Sequence, residues 1–449
     1  MEIPSRSFLA ASLAFAVIAS ATPVRADAPA GSGPAVGATI DKDGWQSAEG
    51  LLPPEVLEHY KKGEYRNRVV DWPAGSYRFE KAWDDATAAN RGKYEVNEAG
   101  TIIDKATGKQ PPYVYGFPFS DIDPKDPKAG IKILWNSYYG YWYQGNSHND
   151  VRLVWVNPTG IDREAGQEVY FLYYDGQAEA YRIPNPQNLL MQFIATTTSP
   201  SDLQGTTALA WRYRDADKRD STWAYVPSLR RTRQVSPTNR SDGFLGSDMS
   251  SDDGPFFDGK PEDFEWKLLE GKDQLRYVDP FSMEGKGEQR WLESGGWRAV
   301  WPRDLASVGF QDSAWKGLPW APVGPQLAKR PMWIIEAVPK DKYYLYGKIQ
   351  LYVDQETYQG AFNRKFSWQG DLMNTYYVLG MMTKGFTRPD GHEDRIWASN
   401  MGFQTAENIK MNRATVSGLQ SPGKDPASDR RLHFETSFFD FNSLQRFGK

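Results

Sequence analysis

The chain has 449 residues, with 53 Lys and Arg against 57 Asp and Glu and a formal net charge of −4. It is 40% hydrophobic and 14% aromatic, which is enough for a sizeable core and excludes a disordered chain. The slightly acidic balance argues against nucleic acid as a partner, and the absence of Cys excludes disulfide scaffolds, thiolate metal sites, a Cys nucleophile and a lipid-bearing N-terminal Cys.

Residues 1–26 read as an export signal. Arg6 precedes an apolar and small-residue run from Phe8 to Ala21, and Ala19-Ser20-Ala21 and Val24-Arg25-Ala26 offer small-residue cleavage patterns, the second preferred. The run is too short to span a bilayer. A cleaved signal on a chain without Cys predicts a soluble periplasmic protein. Residues 27–112 form an N-terminal extension with one short helix. In Leu51 to Gly63, Pro stands at the start, acids in the first turns, Lys in the last and Gly beyond the end. Residues 84–112 are polar and read as loop.

From 113 to 420 the pattern is β. Ile131-Lys132-Ile133-Leu134-Trp135 reads as the start of a strand. Val151, Leu153 and Trp155 alternate with Arg152, Val154 and Val156, and further strands follow at 169–174, 206–214 and 222–227. Residues 186–196 have helix-like spacing. Residues 240–262 read as a long loop and 283–330 as irregular. Strands return at Met332–Val338, bounded by Pro331 and Pro339, and at Tyr343–Val353, where Ile349, Leu351 and Val353 share a face. Tyr358–Trp368, Asn374–Met382, Ile396–Phe403 and Ala406–Val416 complete an antiparallel meander. In the tail, 421–449, Phe434, Phe438, Phe439 and Phe441 are expected to dock.

Motif chemistry is sparse. The four histidines, His59, His148, His392 and His433, lack metal-ligand spacing, so no metal and no cofactor is expected. There is no nucleophile elbow. Gly254 to Lys260 has phosphate-loop glycine spacing, but Pro261 stands where Ser or Thr is needed. A calcium loop beginning at Asp248 would place Gly259 where Glu is required. A glycosidase carboxylate pair has no signature by which to single it out. No catalytic residue is assigned, and an enzyme is not expected.

The most specific stretch is Trp223–Asp253. A strand ending at Pro227 leads into Arg230, Arg231 and Arg233, and a Gly- and Ser-rich run carries Asp248, Asp252 and Asp253. Arginine forks suit carboxylates. The two groups are therefore expected either to pin a long loop to a sheet or to present Arg230, Arg231 and Arg233 to an anionic headgroup or a partner protein. This stretch, with "LLPPEVLEHYKKGEYRNRVVDWP" and "YVYGFPFSDIDPKDPKAG", resembles outer-membrane lipoprotein-sorting-protein-like sequences of the LolA/LolB superfamily. Within it, the chain is most similar to a long periplasmic domain-of-unknown-function family. The resemblance implies a mainly β fold, a curved antiparallel incomplete barrel with a few covering helices and long loops. It also implies a carrier or adaptor for a lipid or other hydrophobic ligand, working with an envelope transporter or outer-membrane protein. It supplies no catalytic residues, and the chain is much longer than the small lipoprotein carriers.

A curved sheet turns one face of every strand inward, which makes Val151, Leu153, Trp155, Ile349, Leu351 and Val353 candidates for lining a ligand cavity. The alternative is a carbohydrate or cell-wall protein using exposed aromatics, for which Trp291, Trp297, Trp301, Trp315, Trp320 and Trp333 would have to form an exposed row. An outer-membrane barrel is the third and weakest reading, because 30 Pro and long irregular stretches suit spanning strands poorly.

Overall fold

A computed structural model describes residues 33–72, 79–280, 288–300, 308–380, 386–391, 393–394, 401–418 and 427–448. The expected signal peptide, Trp301 and His392 lie outside them. The chain opens with β1 (Thr39–Ile40), α1 (Pro54–Lys61), β2 (Asn67–Val70) and α2 (Lys81–Ala89). A small hairpin, β3 (Tyr94–Val96) and β4 (Ile102–Asp104), precedes α3 (Ala129–Trp142). Six strands follow: β5 (Ser147–Asn157), β6 (Gly160–Tyr173), β7 (Leu189–Ser199), β8 (Thr207–Tyr213), β9 (Ser221–Val226) and β10 (Arg231–Val235). After a loop come β11 (Phe264–Val278), β12 (Glu288–Trp291), β13 (Trp297–Val300) and β14 (Gln326–Pro339). Next are β15 (Lys348–Asp354), β16 (Gly360–Phe366), β17 (Leu372–Gly380), β18 (Phe386–Thr387) and β19 (Glu393–Asp394). The chain closes with β20 (Met401–Asn408), β21 (Arg413–Gly418), β22 (Ser428–Arg430) and α4 (Phe441–Phe447).

Thirteen of these strands form one antiparallel series, β11-β14-β15-β16-β17-β20-β21-β5-β6-β7-β8-β9-β10. The sheet is open and strongly curved, and α3 measures the curvature. Gly130 at its start lies against the Lys267–Leu268 backbone of β11, where an added Cβ would come within 2.8 Å of the Lys267 carbonyl carbon. At its other end the Trp142 ring is 6.2 Å from that of Tyr173 in β6. A 14-residue helix is about 21 Å long. Eight flat strand spacings, the distance from β11 to β6, would be about 38 Å. The sheet therefore curls round the helix, and α3 sits on its concave face.

The N-terminal segment packs on the other face. Tyr60 of α1 donates to Asn67 Oδ1 at 2.6 Å and lies 3.2 Å from the Tyr277 hydroxyl of β11. Arg364 of β16 holds both oxygens of Glu55, at 2.7 and 2.8 Å. β2 runs parallel to β14 at Leu327 and Ala328. The tail docks on β6–β9, where Phe439 and Leu444 are fully buried and Phe434, Phe438 and Phe447 pack round them. Phe441 is the exception, at 45% exposed, with its ring edge on Trp223.

Several local expectations are corrected. Ile131–Trp135 is helix, because α3 is apolar on nearly all sides. That pattern marks a buried helix, and over a short run it cannot be told from a strand. Residues 189–199 are a strand buried on both faces over most of its length, which mimics helical spacing. Residues 81–89 are helix, rich in Ala and anchored by a fully buried Trp83 packed on Tyr115, Phe117 and Tyr143. β14 passes through Pro331, where that edge of the strand changes partner from β2 to β15 and a missing N–H breaks no ladder on that side. Residues 406–416 are a hairpin rather than one strand, turning at Ile409–Asn412.

Candidate functional site

One row of directly opposed residues defines the concave face. Leu268, Ile335, Leu351, Asn363, Tyr376, Ala406, Thr415 and Trp155 are successive cross-strand partners over eight strands. Opposed residues share a face, so Leu351 and Trp155 look into the same space although the chain separates them by about two hundred residues. Strand alternation adds Val151 and Leu153 beside Trp155, and Ile349 and Val353 beside Leu351. Ile349, Leu351 and Val353 are fully buried, Leu153 and Trp155 nearly so, and Val151 is half-buried.

A strap, residues 240–263, crosses this row and is bonded by the row itself. Trp155 Nε1 donates to Gly246 O at 3.3 Å, and the Thr415 hydroxyl accepts from the Asp248 N–H at 3.0 Å. Tyr376 donates to Asp253 O at 2.8 Å, and Asn363 to Phe256 O at 3.1 Å. Lys365, beside the row on β16, pairs with Asp253, both fully buried. Asp248 accepts from Arg413 at 3.1 Å and Asn408 at 3.0 Å. The strap runs so close to the sheet that a Cβ on Gly360 would fall 2.1 Å from the Phe256 ring.

The far side of the strap carries a second tie. Arg240 reaches Asp252 at 2.6 Å, Asp220 at 3.1 Å and Asp258 at 3.2 Å. Arg212 of β8 reaches Asp220 at 2.8 Å and Asp258 at 3.0 Å. Burial works against the Asp220 charge, but Arg212 and Arg240 hold its carboxyl below the usual carboxylate range. For Asp258 burial wins over the same two arginines, and its carboxyl is pushed up. Tyr344 donates to the remaining Asp252 oxygen at 2.8 Å.

Beyond the strap, α3 covers the face through polar ties at its turns. Asn136 exchanges two hydrogen bonds with the Phe119 backbone, at 2.6 and 3.1 Å. Tyr138 donates to Gly259 O in the strap. Tyr139 donates to Asp175 at 2.9 Å, and Arg214, just past the end of β8, holds the same oxygen at 2.7 Å. Two further buried groups titrate unusually. Burial pushes the Glu262 carboxyl up to about 7 at the end of the strap, against a lowering from Lys260 and a hydrogen bond from Thr101. On the convex side, His59 lies between Glu64 at 2.7 Å and Glu407 at 2.9 Å. Burial disfavours its charge, yet the two carboxylates raise its pKa overall.

The structure therefore gathers the six lining candidates on one face. Asp248 and Asp252 belong to the strap's attachments, whereas Arg230, Arg231 and Arg233 stand exposed on the β9–β10 hairpin. No bond joins those three arginines to the two aspartates among the described residues. Arg240 makes the tie instead, and sequence reasoning missed it, along with Arg212, Asp220 and Asp258. The only available signal was an Arg inside an otherwise Ser- and Gly-rich loop. Trp297 and Trp320 are fully buried, and Trp291, Trp315 and Trp333 are half-buried, so these five do not form an exposed row. No helix among the described residues is long and apolar enough to cross a membrane.

A curated relative, an uncharacterized protein of Pseudomonas aeruginosa, is 25% identical over 258 residues, 55% of this chain; the match spans half of that relative's length. A Desulfovibrio piger structure of a DUF1329 family protein aligns over 72% of this chain and all of its own, at 15% identity and a TM-score of 0.45. A Vibrio parahaemolyticus domain described as outer-membrane lipoprotein-sorting covers 72% of this chain and all of its own, at 14% and 0.44. A LolA-superfamily protein from Nitrosomonas europaea covers 70% of this chain and 98% of its own, at 12% and 0.39. The family model for DUF1329, proteins of unknown function, matches residues 39–445, nearly the whole described chain, and the protein belongs to that family.

Proposed function

We propose that the protein is a periplasmic carrier or adaptor that binds a lipid or other hydrophobic ligand on its concave face and serves envelope transport. The observation that carries this reading is the row from Leu268 to Trp155. It is one inward face, rich in apolar residues and closed by a strap and a helix instead of a second sheet. The cover is held both by polar ties and by apolar packing of Met249, Phe256 and Phe257 in the strap and Ile133, Leu134 and Trp142 in α3, and as the cover lifts the polar ties can be exchanged for water. An acyl chain entering the opened face gains about 0.8 kcal/mol per buried methylene. That gain opposes the loss of the α3 and strap contacts. The exposed Arg230, Arg231 and Arg233 are proposed to meet an anionic headgroup or the acidic surface of an envelope partner.

Native mass spectrometry of protein purified without detergent, followed by organic extraction, tests the proposal. A stoichiometric hydrophobic molecule supports it and names the cargo class. Ligand-free protein that also takes up no fluorescent fatty acid or phospholipid contradicts it.

A further inference from the structure

Away from the concave face, β5 and β6 bring three metal-ligating side chains together. Asp150 and Glu168 are direct cross-strand partners, and His148 lies two residues before Asp150 on the same face. One donor atom from each of the three lies within 4.8 Å of the others. His148 Nε2 is 3.8 Å from Asp150 Oδ1, too far for a hydrogen bond. It is buried and has no hydrogen-bond partner. A buried imidazole nitrogen left without a partner beside two carboxylates calls for an occupant.

Each side chain is also held from behind. The His148 ring stacks on Tyr170, with centroids 4.3 Å apart and planes 2° from parallel. Its Nδ1 faces Asp429 at 3.8 Å, and Arg298 fixes Asp429 at 2.5 and 2.8 Å. Asp150 Oδ2 accepts the Ala427 N–H at 2.8 Å. Glu168 Oε2 accepts the Tyr170 hydroxyl at 2.8 Å. Ring packing on the imidazole and hydrogen bonds on the carboxylates hold such side chains in place, and hydrogen-bonded carboxylates are part of the outer shell that orients metal ligands.

We propose that His148, Asp150 and Glu168 bind one divalent first-row transition ion of the zinc type. One imidazole nitrogen and two carboxylate oxygens suit that class. Ligands about 2.0–2.2 Å from one ion lie about 3–4 Å apart, so side-chain shifts of about 1 Å close the set. Three protein ligands leave one tetrahedral position for water. All three side chains are half-buried, which leaves an entry path from solvent. Through Asp429 and Ala427 the ion would fix β22 against β5.

The test is calorimetric titration of untagged, EDTA-dialysed protein with Zn2+, with His148→Gln and Glu168→Gln alongside. The expected result is one Zn2+ per chain, a rise in Tm on saturation, and at least a tenfold loss of affinity in each variant. Absence of one-equivalent binding to the wild-type chain overturns the proposal, as does unchanged binding in both folded variants. If a variant fails to fold, X-ray absorption of the zinc-loaded wild type decides. One nitrogen with oxygen neighbours supports the site, and a shell without histidine overturns it.

Discussion

Arg240 Nε lies 2.6 Å from Asp252 Oδ1, twelve residues further along the same strap. The pair belongs to a buried set of two arginines and three aspartates, so neither residue can be removed alone without stranding charge. Breaking a buried pair costs about 3–5 kcal/mol. Arg240→Ala should destabilise the protein by about that amount in urea unfolding, with the hydrogen exchange of residues 240–263 rising first.

The exposed arginines should behave differently. Replacing Arg230, Arg231 and Arg233 together with Gln should leave stability within about 0.5 kcal/mol of wild type. Flotation with anionic phosphatidylglycerol vesicles should fall, and the residual binding should lose its salt dependence. Unchanged flotation would remove the headgroup role.

Glu262 supplies a pH prediction. Its folded pKa of about 7 stands above the unfolded value of 4.5. The folded state therefore holds a proton that the unfolded chain has lost, and stability falls as pH rises from about 4.5 to about 7. Glu262→Gln removes that loss. It should raise stability by about 2–3 kcal/mol at pH 8 and change little at pH 4. Equal effects at both pH values would contradict the burial argument.

His59 has the opposite origin and the same sign. Its folded pKa is raised by Glu407 and Glu64 over the opposing effect of burial. Its contribution is full below about pH 6.5 and is lost as pH rises through the folded value. His59→Gln should lower Tm more at pH 5.5 than at pH 9, and the loss should centre on α1 in hydrogen exchange.

Gly130 tests the seat of α3. A Cβ there would meet the Lys267 backbone at 2.8 Å, and backbone cannot rotate away. Gly130→Val should cost about 1–3 kcal/mol. On the carrier reading it should also increase uptake of a fluorescent fatty acid, because the helix is pushed off the concave face.

The sheet was legible in the sequence where alternation is clean. Ile349, Leu351 and Val353 show it on β15, and Val151, Leu153 and Trp155 on β5. Their shared face was not legible as a fact, because the link from Leu351 to Trp155 runs through four intervening strands whose register no local pattern states. Ile131–Trp135 misled for a physical reason: a helix buried on all sides has lost the polar stripe that betrays its period. The strap was legible as a loop, and pinning by its acids was one of two expectations. Their cation was sought among Arg230, Arg231 and Arg233, the densest cluster, whereas Arg240 and Arg212 are single residues brought in by the fold. His148 and Glu168 are twenty residues apart and meet only through the β5–β6 register.

Photocrosslinking shows directly whether the face beneath the strap takes a hydrophobic ligand. The full chain would be incubated with a diazirine-bearing fatty acid, irradiated and mapped by peptide mass spectrometry, with excess unlabelled lipid as competitor. Competable labels are expected on peptides carrying Leu153 and Trp155, on those carrying Ile349, Leu351 and Val353, and on strap residues 244–256. Labels confined to outward residues such as Trp368 and Tyr343, or labels that excess lipid does not displace, would contradict it.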